Sequence, residues 1–391
     1  MTNLKYYKNK SIFFRMPAFY FFHFFGVGVM LPFVNIFYNS IGIEGFKLGV
    51  LNASPRVAAM IMPFIFGAIA DKYKIEKKLI FISTMIASLV AFYLWNIRDF
   101  WVLFFCVTFF YFLKSPVVPI VENLCLKEAK KSRIDYGKIR WWGSLGFIIA
   151  ALITGKVIDL YNENYIFLLV SISGIISGFV ILLVPDNNEK RKPFFLSQLF
   201  ISIRDNKNLL RFFIVSTIVS ATSGPFGLYF SIHLKSLGMS SFLIGFAWIL
   251  GVVSEIFFLF FAGKIRAYIG VKLMIIVGIF ATAVRWELIA ITDEILFLIS
   301  IQILHGLTFG VLHAASIQYI DMQSSEDHKN SIQSLYSVST YGIGSTIGVL
   351  SSGILINYFS YNILLHASSI LAMLALLLFI LPFRNKNRLF R

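Results

Sequence analysis

Apolar and polar positions along the chain fall in long blocks. Twelve apolar runs lie at 17–40, 47–70, 78–96, 100–125, 139–158, 164–184, 211–236, 242–265, 272–291, 295–320, 331–356 and 362–383. A bilayer crossing takes about 20 apolar residues, so every run is long enough to span. Hydrocarbon offers the backbone no water, and a helix satisfies its own N–H and C=O groups. The pattern predicts twelve transmembrane helices joined by short loops. The longest polar stretch is PDNNEKRKPFFLSQLFISIRDNKNLLR (185–211), which carries two prolines and separates six runs from six. The expected organisation is a six-helix bundle over 1–184, a central loop over 185–210, and a second bundle over 211–391.

An internal repeat agrees with that division. Phe64 and Gly67 of FIFGAIADKYKIEKK recur as Phe260 and Gly263 of FFAGKIRAYIGVK, an offset of 196. GFIIAALITG (146–155) recurs as GSTIGVLSSG (344–353), an offset of 198. Both offsets approximate half the chain.

Composition narrows the class. Of 391 residues, 58% are hydrophobic and only 14% charged. A soluble domain is about 25% charged. Too few charges remain to cover a water-exposed surface, which excludes a soluble enzyme, a disordered chain and a disulfide scaffold. The net charge of +16 would suggest nucleic acid in a soluble protein, but here the position of the charges decides. Of the 35 Lys and Arg, 27 fall in the tails and the even-numbered loops, and four on the opposite side. That bias predicts a multi-pass plasma (inner) membrane protein with both termini in the cytoplasm. No nucleic acid and no obligate protein partner are expected. Cys106 and Cys125 lie 19 residues apart, about 28 Å along one helix, too far to bridge. No metal or cofactor is expected. The basic N-terminus has no small-residue cleavage site after it, so the first apolar run reads as a retained helix.

Ionisable groups inside spans mark candidate chemistry, because each is costly in lipid unless it faces a cavity or a partner. They are Arg56, Lys114, Glu122, Arg140, Glu255, Arg285, Glu287, His305 and His313. Glu122 and Arg140 close the fourth span and open the fifth. Arg140 can present a bidentate fork to a carboxylate or a hydroxyl pair. Arg56 and Lys114 could attract an anionic solute or serve structure alone. Glu287 lies about 200° around a helix from Arg285 and is expected to face elsewhere. His305 and His313 are about 80° apart on an ideal helix. No HExxH, HxxxxD or Walker A run supports a membrane-embedded enzyme.

These residues carry a family resemblance. GAIADKYKIEKK (67–78) resembles the loop signature of the major facilitator superfamily, with Gly67, Asp71 and Lys72 in its gating positions. The resemblance implies two pseudo-symmetric six-helix bundles that rock about a central polar cavity. The second copy has Ala267 at the aspartate position. GKIRWWGSLGF (137–147) resembles the sugar-binding segment of lactose permease and its relatives. That implies a substrate site of Glu122, Arg140 and Phe147. Glu255, Arg285 and His305 match the proton-coupling set of the same relatives. The family's proton-carrying glutamate is replaced by Thr308, and its nearby lysine by Gln302. Glu255 is then the remaining carboxylate for the proton, with His305 next.

The set SPVVP…E (115–122), DYGKIRWWGSLGF (135–147), GVVSE (251–255), VRW (284–286) and QILHGLTF…H (302–313) resembles the phenylpropionate permease branch. That branch implies proton-coupled uptake of a small aromatic carboxylate such as 3-phenylpropionate. The alternative is a proton-coupled sugar or nucleoside symporter. A drug efflux antiporter is disfavoured, since the fifth span lacks the glycine-proline pair typical of those proteins. A homologue that binds without translocating would be favoured by an appended cytoplasmic domain. The expected partners are a small-molecule substrate, protons and the lipid bilayer.

Overall fold

The computed structural model describes residues 2–132, 135–184, 206–324 and 329–381, with the side chains of 2–13, 71, 128, 131–132 and 329–331 left aside. Most of the expected central loop, residues 185–205, therefore lies outside the described residues. All elements described are helical. Among the described residues, eleven helices are long and apolar enough to cross a membrane: α1 Phe14–Ser40, α2 Gly45–Ala70, α3 Glu76–Leu94, α4 Phe100–Lys127, α5 Tyr136–Leu160, α6 Tyr165–Leu182, α7 Lys207–Ser236, α8 Ser241–Ala290, α9 Ile295–Gln323, α10 Ile332–Leu355 and α11 Tyr361–Ile380.

The count of eleven comes from α8. Its 50 residues would measure about 75 Å as one rod, more than twice a hydrocarbon core. The helix breaks at Gly270, whose φ of 79° and ψ of 161° suit a residue without Cβ. Each arm is one crossing, so α8 supplies the eighth and ninth spans of a twelve-span architecture. The sequence pattern suggested a loop over 266–271; the two arms instead meet at a single residue.

Polar residues at the run boundaries start the helices. Asp99 accepts from the Trp101 and Val102 N–H groups at 3.0 Å each, and Asp135 from Gly137 at 2.8 Å. Asn206 and Ser240 serve α7 and α8 in the same way, and Glu294 serves α9. Each cap occupies backbone donors that a helix start leaves free. Between the caps the helices are apolar on both faces. In α11, Leu364, Leu365, Ala372, Leu376 and Phe379 are buried, whereas Ile370, Leu374 and Leu377 are exposed. An apolar outward face is the mark of a lipid-facing helix.

Helices α1 to α6 pack chiefly on one another, as do α7 to α11, except that α2 packs most on α10. The two groups meet through α2 against α10, α5 against the first arm of α8, and α1 against α7. These contacts run from one end of the molecule to its middle. At that end Gly49 faces Gly353, where an added Cβ would come within 2.9 Å of the Val349 carbonyl oxygen. Gly245 lies as close to the Ala151 carbonyl. Such backbone approach requires small residues. The seam reaches the middle at Met60 against Gly342 and at Phe147 against Ile249.

Candidate functional site

The expected coupling residues come together between α8 and α9. Arg285, on the second arm of α8, is 3% exposed. Its Nη2 donates to Gln302 Oε1 at 2.6 Å, and its Nη1 donates to Thr308 Oγ1 at 3.3 Å. Nη1 also lies 3.0 Å from His305 Nδ1. A guanidinium can only donate, so Nδ1 is the acceptor and the neutral ring carries its proton on Nε2. That Nε2 faces Glu255 Oε2, on the first arm of α8, at 3.6 Å. Arg285 thus fixes the tautomer that presents a proton to Glu255. Its cation also sits over the Phe226 ring at 4.5 Å and the Trp286 ring at 5.1 Å. The two residues that depart from the lactose permease pattern, Gln302 and Thr308, both accept from this arginine. Gln302 is held in turn by donating to the Leu298 carbonyl at 2.8 Å.

His313 joins this group, against the 80° separation of an ideal helix. The backbone over Gly306–Val311 forms a widened π turn. Such a turn changes the phase of every residue after it. His305 stacks on Phe309 at 5.5 Å, and Phe309 stacks on His313 at 5.6 Å. The three rings form one column. His313 Nδ1 lies 2.9 Å from Tyr341 Oη, on a second π turn over Val338–Gly344 of α10. Glu287 faces elsewhere, as its phase suggested, with Oε1 2.9 Å from His366 Nδ1 of α11.

The first bundle holds the other expected pair. Arg140 Nε lies 3.7 Å from Glu122 Oε1, and Tyr136 Oη donates to the same oxygen at 3.4 Å. The guanidinium stacks over Phe24 at 4.1 Å and faces Tyr20 at 5.6 Å, both on α1. Phe147 is two turns away and 6% exposed, among Ala151 and Ile249 where the bundles meet. In this conformation it is packing between the bundles.

Of the loop signature, Gly67 is buried, and Lys72 is exposed with Nζ 5.1 Å from the Tyr73 ring centre. The Asp71 side chain lies outside the described residues. Both cysteines are free.

Three polar residues escaped the sequence reading: Asn35 and Asp159 bond across the bundles, and Asn52 holds Asn35 from within the first bundle. Asn35 of α1 donates to the Gly227 and Leu228 carbonyls of α7 at 2.9 and 3.1 Å. Asn52 of α2 donates to Asn35 Oδ1 at 2.8 Å. Asp159, at the end of α5, accepts from the Ser241 and Phe242 N–H groups at the start of α8, at 2.7 and 3.0 Å. An amide inside an apolar run was the available signal for Asn35.

Comparison with known proteins adds family and fold. The sequence model of the MFS_1 like family matches residues 13–367. The chain is 27% identical over 354 residues to a probable 3-phenylpropionic acid transporter of Escherichia coli (strain K12), covering 88% of this chain and 91% of that one. It is 24% identical over 350 residues to the maltose permease of Geobacillus stearothermophilus, covering 87% and 86%. The crystal structure of the nucleoside transporter NupG superposes with a TM-score of 0.83 at 19% identity, covering 95% of this chain and all of that one.

Proposed function

Because the chain belongs to the MFS_1 like family, and is a multi-pass secondary transporter of small solutes rather than an enzyme, we propose that it performs proton-coupled uptake of an aromatic carboxylate such as 3-phenylpropionate. The observation that carries this reading is the Glu255–His305–Arg285 chain. It puts a carboxylate that can accept a proton next to an imidazole whose proton-bearing nitrogen points at it. The group joins both arms of α8 to α9, so its protonation state bears on how these helices pack. Likeness to a probable 3-phenylpropionic acid transporter over most of the chain supports the substrate class.

In this reading the bundles covering 1–184 and 211–391 rock against each other, with the 185–210 segment between them. Glu122 and Arg140 contact the solute from the first bundle. Glu255, Arg285 and His305 hold and release the proton in the second. Phe147 takes part when the bundles separate around it. Gly67, Asp71 and Lys72 govern the opposite end in the outward-open state. The Lys and Arg bias supports both termini in the cytoplasm of the inner membrane. With that orientation the end sealed by Asp159, Asn35 and Gly49 is the outer one, and the conformation is open toward the cytoplasm.

The test is uptake into proteoliposomes under an imposed inward proton gradient, with labelled 3-phenylpropionate, a disaccharide and a nucleoside offered side by side. Accumulation of the acid that collapses with an uncoupler is the expected result. Accumulation of only the sugar or nucleoside would replace the carboxylate reading, and accumulation indifferent to the gradient would remove proton coupling.

A further inference from the structure

We propose that Lys114 and Arg56 form the seat for the carboxylate of the transported solute. The inference rests on the carboxylate reading above and adds the residues that select the charge.

The first argument is depth. Lys114 is the fifteenth of the 28 residues of α4, and Arg56 the twelfth of the 26 of α2. Both lie near the middle of their spans, about 15–20 Å of helix from either end. A four-carbon stem cannot carry an ammonium that far to the membrane surface, so it must face the interior between the helices. The second argument is charge balance. Arg140 has Glu122 beside it, and Arg285 is bonded to Gln302, Thr308 and His305, with Glu255 one residue beyond. Among the described residues, Lys114 and Arg56 have no carboxylate partner. The Arg56 Nη1 donates only to the carbonyl of Asn52, one turn back on its own helix. Two uncompensated cations at hydrocarbon depth are costly, and a function that brings them an anion removes that cost.

The third argument is that the two belong to one place. Ser115 Oγ donates to the Ala58 carbonyl at 3.2 Å, tying α4 to α2 beside both cations. Tyr111, one turn before Lys114, is within reach of the Arg56 charge. Arg56 points across to the second bundle, its Nη2 3.8 Å from where a side chain would begin at Gly227 of α7. Lys114 and Arg140 both bear electrostatically on His23 of α1, a ring only 4% exposed whose Nδ1 has no hydrogen-bond partner among the described residues. On the sealed side the site is capped by Asn35, which donates to α7 carbonyls and accepts from Asn52. Pro116 interrupts α4 just after Lys114, because it has no N–H to continue the helix. Broken helices at the midplane between bundles are where transporters of this architecture bind solute. A monoanion balances the surplus charge in part and finds donors on α2 and α4. A neutral sugar or nucleoside leaves both cations unmatched.

The test is calorimetric binding to the purified full-length protein, using 3-phenylpropionate and its uncharged amide, 3-phenylpropionamide. The wild type is expected to bind the acid at least about tenfold more tightly than the amide, the size of one charge-assisted hydrogen bond. Lys114→Gln is expected to abolish that preference by weakening the acid at least about tenfold while leaving the amide unchanged. Lys114→Arg is expected to retain the preference. Unchanged amide binding also reports that the variant is folded. If Lys114→Gln does not fold, Arg56→Gln is expected to reduce the preference in the same way. A wild type that prefers the acid, with variants that keep the preference or lose both ligands equally, overturns this inference alone. A wild type indifferent to the charge overturns the carboxylate reading and this inference with it.

Discussion

Asp159→Asn isolates what holds the sealed end closed. In the structure the carboxylate spans from α5 to the first turn of α8 and takes two backbone N–H groups at 2.7 and 3.0 Å. Lys235 Nζ, 3.0 Å from Ser241 Oγ, adds a cation beside it. The asparagine keeps the shape and one acceptor oxygen but removes the charge. A hydrogen bond to a charged group contributes about 1 kcal/mol more than a neutral one, and a carboxylate at a helix N-terminus adds about 0.3–1 kcal/mol. Asp159 is exposed at the end of the molecule, so solvent screening confines the loss to about 1–2 kcal/mol. Because the cap exists only when the bundles touch, the loss falls entirely on the closed arrangement. The ratio of closed to open at this end should drop by about five- to thirtyfold. Cys106 and Cys125 are replaced by Ser, and paired spin labels at Lys156 and Leu243 report the distance between the α5 and α8 ends. Wild type should give one short distance, and Asp159→Asn a second, longer population. An unchanged distance distribution would refute the claim that this cap holds the sealed end closed.

Three further outcomes are expected. Glu255→Gln should abolish gradient-driven accumulation while leaving counterflow exchange intact, since exchange moves no net proton; accumulation that persists would exclude Glu255 as the proton carrier. Arg140→Lys should weaken solute binding at least about tenfold, because an ammonium cannot reproduce a fork that pairs with Glu122 and stacks on Phe24; titration calorimetry checks this, and an unchanged affinity removes Arg140 from the site. Gly270→Ala should lower stability by about 1–2 kcal/mol through its positive φ, read as a lower midpoint of thermal unfolding in detergent.

The spans were legible in the sequence because lipid imposes one simple rule on every helix. The charged cluster of the second bundle was legible for the same reason: Glu255, Arg285 and His305 stand out in apolar runs. Their partners were less so. Gln302 and Thr308 looked like losses from a known pattern, and only the geometry turns both into acceptors for Arg285. The His305–Phe309–His313 column depends on a π turn, which leaves no mark in residue periodicity. Asp159 read as a loop residue, since its role needs a helix start 82 positions away in the chain. Phe147 kept its place in the sequence resemblance while the closed bundles occupy it with packing. Contacts that form between bundles have no period, which hid the roles of Asn35 and Asp159.

The junction at Gly270 has a practical and a mechanical consequence. The neighbouring spans α7 and α8, and α8 and α9, are each joined by four residues outside either helix, 237–240 and 291–294. The arms of α8 are joined with no slack. The first arm bears Glu255 and the second bears Arg285. A displacement of the first arm's far end therefore carries the start of the second arm with it, while the two Gly270 dihedrals let the angle between the arms change. The same junction is a poor site for a tag, an epitope or a split-protein cut, although it sits at a surface where such insertions are usually tried. Residues spliced in there would decouple the two arms while leaving every individual helix intact.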